Sequence, residues 1–425
     1  MFTILRQRDF GLVWTSALIS QLGDWVLIAA LPFYVYATTG SILASGATFL
    51  AGSLPTLLFG SFAGVFVDRW DRKRLIVIGE LAQGAVLLFL LLARTTDTLW
   101  IVYAVAFVES TIAVFSSPAF RAAIPQVAGE GQLVRANSLL SAGENFARLV
   151  GPPLAGLLML ALSLPGVVVV DAATFFISGA LLARISVSLR VAAPAEATTA
   201  QGLFARFRQV GREWRDGLRI VSGERWIAIL FIVPAISLLG DGMFTAVLAA
   251  FVAGVLGGSA LVFGWILTAR GLGGLIGGVT LGAAGARLHS PRLIGPCSIL
   301  LGGALLAMAV FRSIPLTMAV MALGGITAIG VFVTISTLLQ NGVPDRYRGR
   351  VFAAYSTSCG LAVIVGNLLG GVLGDNFGAT PIVGVAGALS VLAGVVAVLT
   401  LRGETARRAK DGVITLLEAD VEPVS

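Results

Sequence analysis

Six ionisable residues interrupt long apolar runs in this sequence: Asp24, Glu109, Glu144, Arg148, Asp241 and Arg270. A charge near the middle of a bilayer costs at least about 2.5–3.5 kcal/mol, so each must find a partner or a wet cavity. At a helical rise of about 1.5 Å per residue, Asp24, Glu109, Arg148, Asp241 and Arg270 fall roughly 14–22 Å from the ends of their runs. Glu144 and Arg148 are four residues apart with the acid first, the favourable order for a pair on one helix face. They are expected to form a self-neutralising structural pair. No basic residue lies within a turn of Glu109. Such a carboxylate can carry a proton, contact a cationic substrate, or serve as a hydrogen-bonded structural group. Glu80 and Asp171 lie nearer the ends of their runs and read as local structure.

Other chemistries lack their residues. Neither lysine, Lys73 or Lys410, follows a glycine, so the Gly-Lys-Ser/Thr of a nucleotide-binding loop is missing. There is no Gly-x-Ser-x-Gly elbow and no His-Glu-x-x-His. His289 is alone in a polar loop, and Cys297 and Cys359 are far apart in apolar runs. Neither a metal, a cofactor nor an enzymatic activity is expected.

The elements that must position the six groups follow from composition. Of 425 residues, 57% are hydrophobic and 12% charged, against about 25% charged in soluble domains, and the mean hydropathy is +0.94. A soluble domain cannot bury that much hydrocarbon, and the runs are too long for barrel strands. A membrane-spanning helix needs about 20 mostly apolar residues, which predicts twelve spans: 10–36, 43–67, 75–93, 99–120, 139–162, 167–185, 226–248, 260–285, 293–311, 314–339, 351–373 and 379–401. The first follows Arg6 and Arg8 and exceeds a signal-peptide core, so it is expected to be retained.

The excess of 29 Lys and Arg over 22 Asp and Glu could suit nucleic acid, but the arginines fall in short gaps between spans, which favours the bilayer. With the N-terminus inside, cytoplasmic segments hold 25 of the 29 basic residues, counting Arg184 at the cytoplasmic end of span six, leaving Arg94 and Arg312 outside and Arg148 and Arg270 deep within spans. Both termini are therefore expected in the cytoplasm. Between spans six and seven, Leu203, Phe204, Phe207, Val210, Trp214, Leu218 and Ile220 recur at helical spacing among arginines, as in an amphipathic helix on the inner leaflet.

The chain also repeats itself. Gly23-Asp24 returns as Gly240-Asp241 at an offset of 217, Arg74-Leu75-Ile76 as Arg292-Leu293-Ile294 at 218, Ile124-Pro125 as Val343-Pro344 at 219, and Gly151 through Gly156 as Gly366 through Gly371 at 215. Four matches in order at nearly one offset mean duplication. Six spans are an even number, so both copies are parallel repeats, as in the two halves of a major facilitator transporter. The expected domains are a six-helix half at 1–186, a cytoplasmic linker at 187–225, a second half at 226–402 and a tail at 403–425. The matched Asp24 and Asp241 suggest a shared architectural role or a cavity site, and Arg270 could neutralise either. Glu109 meets Thr327 or Ala328 in the second copy.

Three motifs carry a family resemblance. Gly64, Asp68, Arg69, Arg72, Lys73 and Arg74 follow the second span and resemble the loop signature of the major facilitator superfamily, in which the acid helps lock a cytoplasmic gate. Asp68 has no acidic counterpart in the second copy, so that latch is one-sided. Ala147 through Gly156, with Gly151, Pro152 and Gly156, resembles the fifth-span signature of drug–proton antiporters, with Ala147 and Ala155 replacing two glycines. Pro118 through Pro125 and Arg135 through Leu139 resemble the macrolide-efflux and enterobactin-exporter branch. The fourth span lacks the intramembrane arginine of many such antiporters and holds Glu109 instead.

The resemblance implies an all-α fold of twelve transmembrane helices and a secondary exporter of amphipathic compounds such as macrolides, working by alternating access with proton antiport. It implies a monomer in a bacterial inner membrane. A siderophore or metabolite exporter, a lipid translocator and a non-transporting membrane sensor are the rivals.

Overall fold

The computed structural model describes residues 2–67, 70–129, 131–187, 215, 219, 225–284 and 293–401. Its helices are α1 (Arg8–Thr39), α2 (Ile42–Val67), α3 (Arg72–Leu87), α4 (Trp100–Ala128), α5 (Leu133–Ala183), α6 (Arg225–Ala250), α7 (Ala260–Ala284), α8 (Ile294–Phe311), α9 (Ile314–Gly342), α10 (Asp345–Phe377) and α11 (Ala379–Leu401). Among the described residues, 11 helical stretches are long and apolar enough to cross a membrane. At 51 residues α5 is about twice the necessary length. Its backbone leaves the helical region at Ser163 (φ 57°, ψ −173°), two residues before Pro165. The expected fifth and sixth spans lie on either side of that break, consistent with the expected twelve. The protein is an all-α, multi-pass membrane protein.

Local signals set the helix ends. Gly40 stops α1 at φ 67°, where a side chain would be strained. Asp71 caps α3 by accepting from the Arg74 N–H at 3.0 Å. Ser313 caps α9, with a proline in its first turn.

The chain divides into two compact units. The first comprises Met1–Ala200 and Leu248–Gly271, the second Gln201–Val247 and Leu272–Ser425. In the first, α1 packs on α5, α2 on α4, and α3 on both α4 and α5. Its core has one cluster around Val35, Leu87, Val102 and Val167 and another around Phe10, Ala119 and Ala136. In the second, α8 packs on α9 and α11, and the core gathers Ile227, Ile335, Leu339, Val351 and Ala354.

Each unit uses the same glycine seams. Gly84 faces Ala172 and Phe176, while Gly302 faces Gly387 and Val391. Gly23 faces Asp171 and Thr174, while Gly240 faces Ala386 and Leu389. The offsets are 218, 215 and 215 for the first set and 217, 215 and 215 for the second, matching the duplication. Small residues carry these contacts because helices in lipid associate by close backbone packing.

Asp68, Arg69, His289, Arg292 and the tail after Leu401 lie outside the described residues. So does the expected amphipathic helix, apart from Arg215 and Arg219, which are helical and exposed.

Candidate functional site

A cavity of about 560 Å³ opens within the first unit, walled by α1, α2, α3, α4 and the start of α5. Hydroxyl–carbonyl bonds between helices hold its walls. Ser45 Oγ on α2 donates to Pro32 O on α1 at 2.8 Å, Tyr103 OH on α4 to Ala44 O at 3.1 Å, and Ser110 Oγ to Gly52 O at 2.6 Å. Asp24, Glu109, Glu144 and Arg121 line the cavity beside Trp25 and Phe49.

Glu109 has a partner from another helix: Gln83 Nε2 on α3 donates to its Oε1 at 3.3 Å. Asp24 lies within electrostatic range of Glu109, Asp171 and Glu80, so four helices bring four carboxylates together. Among the described residues none of the four forms an ion pair within 4 Å, and no group of three or more His, Cys, Asp or Glu is arranged to hold a metal ion. In a low-dielectric site, such a group has the chemistry to hold a proton or a cation.

Glu144 and Arg148 do not pair as their spacing suggests. Glu144 lines the cavity, whereas the Arg148 guanidinium lies over the Trp25 ring, 5.1 Å from its centroid. The cause is Gly151, one turn further on. A β-carbon there would overlap the Trp25 Cβ and stand 3.2 Å from its carbonyl carbon. The α5 backbone therefore rests on Trp25, which places the cation above the indole.

Pro152 and Gly156 form a seam with the start of α7, inside the first unit, while Gly151 faces Trp25 on α1. A β-carbon on Gly156 would stand 2.7 Å from Ala260 O, and one on Gly264 would stand 3.0 Å from Pro153 Cα. Pro153 has no N–H to offer the carbonyl four residues back, that of Leu149. Thr268 Oγ1 on α7 supplies the missing donor at 2.9 Å.

Of the loop motif, Gly64 lies in α2. Arg72 Nη1 donates to Ala122 O on α4 at 3.3 Å, and Lys73 Nζ donates to Ile185 O just beyond α5 at 2.7 Å. Lys73 thus covers a carbonyl at a helix C-terminus, where a cation is favoured. Nearby, Asp9 accepts from the Ser186 N–H at 3.1 Å and the Val187 N–H at 2.9 Å, closing α1 onto the end of α5. Asp241 on α6 and Arg270 on α7 are half-buried and each makes a polar interaction; neither lines the cavity.

Sequence reasoning missed Gln83 and Arg121, and read Asp171 as local structure near the end of its run. Asp171 is 0% exposed, although its run made it look close to an interface. The helix that carries it starts at the Ser163 break, before the run begins, so the residue sits deeper. The small residue at Gly23, facing Asp171, is the signal that could have revealed it.

Comparisons with known proteins place the chain in a family. The model of the family described as transmembrane secretion effector, a major facilitator group, matches residues 1–413. The uncharacterized MFS-type transporter YfiS of Bacillus subtilis (strain 168) is 26% identical over 427 residues, covering 95% of this chain and 95% of its own. Macrolide efflux protein A of Streptococcus pyogenes is 26% identical over 377 residues, covering 87% of this chain and 90% of its own. The fold is similar to that of a bacterial homologue of the iron transporter ferroportin, solved in its inward-facing state: TM-score 0.71, 18% identity, 92% of this chain and 98% of that one. With the family model matched over nearly the whole chain, the chain belongs to the transmembrane secretion effector family of major facilitator transporters.

Proposed function

We propose that this transporter exports amphipathic, partly cationic organic molecules of macrolide-like size in exchange for protons. The cavity of the first unit carries the reading: carboxylates Asp24 and Glu109 stand beside Trp25 and Phe49 in about 560 Å³. Aromatic faces suit the apolar body and the charge of an organic cation. A carboxylate in the same wall holds either a proton or that cation, so one displaces the other. Glu109 is the coupling residue in this reading and Gln83 orients it. The relative that extrudes macrolides supports the substrate class.

The protein works as a monomer in a bacterial inner membrane with both termini in the cytoplasm, through two six-helix halves at 1–186 and 226–402. Asp68 contributes to the cytoplasmic gate, so Asp68→Asn should impair transport more than substrate binding.

Glu109→Gln separates charge from shape. In a pump-deleted host and in proteoliposomes, it should lose uphill efflux by at least about tenfold and lose substrate-induced proton release, yet keep downhill exchange. Wild-type uphill efflux of every substrate by a normally expressed Glu109→Gln protein would refute the coupling role.

A further inference from the structure

Asp171 makes no contribution to the cavity wall, yet it is the most enclosed acid of the four at 0% exposure. Its carboxyl group fills the notch that Gly23 leaves in α1: a β-carbon on Gly23 would overlap Asp171 Oδ1 and Thr174 Oγ1. Asp24, which does line the cavity, is the next residue along. The charged groups facing Asp171 are Asp24 from α1 and Glu109 from α4, both acidic, and Glu80 from α3 lies within electrostatic range of Asp24.

Its hydrogen bonds leave room for a proton. Thr174 Oγ1 donates to the Asp171 backbone carbonyl at 2.7 Å and to Oδ1 at 3.3 Å. Oδ2 has no partner among the described residues. An ionised carboxylate accepts at about four lone-pair sites and would find here one shared hydroxyl. With a proton on Oδ1, the same 3.3 Å contact serves the opposite direction, the carboxyl donating to Thr174 Oγ1 while the threonine hydrogen stays on the backbone carbonyl.

Packing alone does not call for an acid in this place. The second unit builds the same notch from Gly240, Ala386 and Leu389. We propose that Asp171 is a second proton-binding site of the first unit, sealed behind the cavity, which exchanges its proton with Asp24. The transfer balances on these two groups. The O–H bond of Asp171 breaks, an O–H bond forms on ionised Asp24, and the negative charge moves from Asp24 to Asp171. Asp24 then meets the cavity protonated and is available to release again. The role in transport rests on the proton-coupled reading above; the occupancy of Asp171 by a proton does not.

The test uses the full chain purified in detergent. Infrared difference spectra between neutral and alkaline pH, without substrate, count protonated carboxyl groups. Asp171→Asn should remove one carboxyl band that Glu109→Gln retains. Asp171→Ala, which copies the alanine of the second unit, should remove the same band, and it decides the matter should the asparagine variant fail to fold. With tetraphenylphosphonium as the probe, Asp171→Asn should release about one proton fewer per bound cation than wild type, with binding changed less than about twofold. Wild-type carboxyl bands in both Asp171 variants overturn the proposal. An unchanged proton count despite a lost band overturns the exchange with Asp24. No proton release from wild type on binding the probe refutes proton–cation coupling, while the infrared bands still decide whether Asp171 holds a proton.

Discussion

The two units answer the same packing problem with different chemistry. The first places Glu80, Glu109 and Asp171 around Asp24. At the corresponding positions the second has Ser298, Thr327 and Ala386, and repeats only the aspartate, as Asp241. The substitutes are packed and neutral. Ser298, Thr327 and Ala386 are 6%, 4% and 0% exposed, and the Thr327 hydroxyl is satisfied by Leu323 O on its own helix at 3.0 Å. Arg148 over Trp25 becomes Val363 beside Gly242. Asp9, which clamps the end of α5, becomes Trp226, which lies against Gly342. The glycine seams persist in both units, whereas of the four acids only Asp24 is repeated. Seams are what the fold needs; the acids are an addition that packing does not explain.

Moving an acid across the repeat gives the largest effect. Ala386→Asp buries a carboxylate in a notch where Leu389 replaces Thr174, and should cost about 2.5–3.5 kcal/mol. Thermal unfolding in detergent reads that cost directly. Asp171→Ala should lose no stability by the same measurement. Equal melting temperatures for Ala386→Asp and wild type would mean that either notch accepts an acid, and the contrast would collapse.

The seams can be graded next. A β-carbon on Gly302 would stand 2.6 Å from both Gly387 O and Val391 N, backbone atoms that cannot turn aside. On Gly84 the nearest atoms, including an edge of the Phe176 ring, are at 3.1–3.2 Å. Gly302→Ala should therefore cost about 1–3 kcal/mol and Gly84→Ala clearly less. The reverse order would show that the two seams are not equivalent. Asp9→Asn should come third, at about 1 kcal/mol, because it weakens charge-assisted bonds to two backbone N–H groups at a wet helix end. High salt should shrink the difference between Asp9→Asn and wild type, whereas Trp226→Ala should be insensitive to salt. The smallest effect belongs to Trp25→Leu. Losing the ring beneath Arg148 should lower stability by about 0.5–1 kcal/mol, and an unaltered melting temperature would reduce that stacking to mere proximity.

Much of the fold was legible in the chain. Helices in a bilayer must satisfy their own backbone groups, so each span announces itself as a long apolar run without reference to any partner. The duplication and the family motifs are equally local, because they are matters of order and spacing. Even the break at Ser163 falls between two runs that composition separates. The candidate site was legible only as a set of suspects. Depth along a run singled out Asp24 and Glu109, yet it ranked Asp171 as peripheral, and spacing along the helix paired Glu144 with Arg148.

Those decisions belonged to the tertiary structure. Which residues of a span meet depends on its rotation and tilt, and these are set by contacts with neighbouring helices rather than by the span's own composition. Gly151 seats α5 on Trp25 and turns Arg148 away from Glu144. Pro153 releases a carbonyl that Thr268, 119 residues from Leu149, comes to satisfy. Gly23 opens the notch that swallows Asp171. Apolar length determined that these helices cross the membrane; the missing side chains of a few glycines decided which charges face one another inside it.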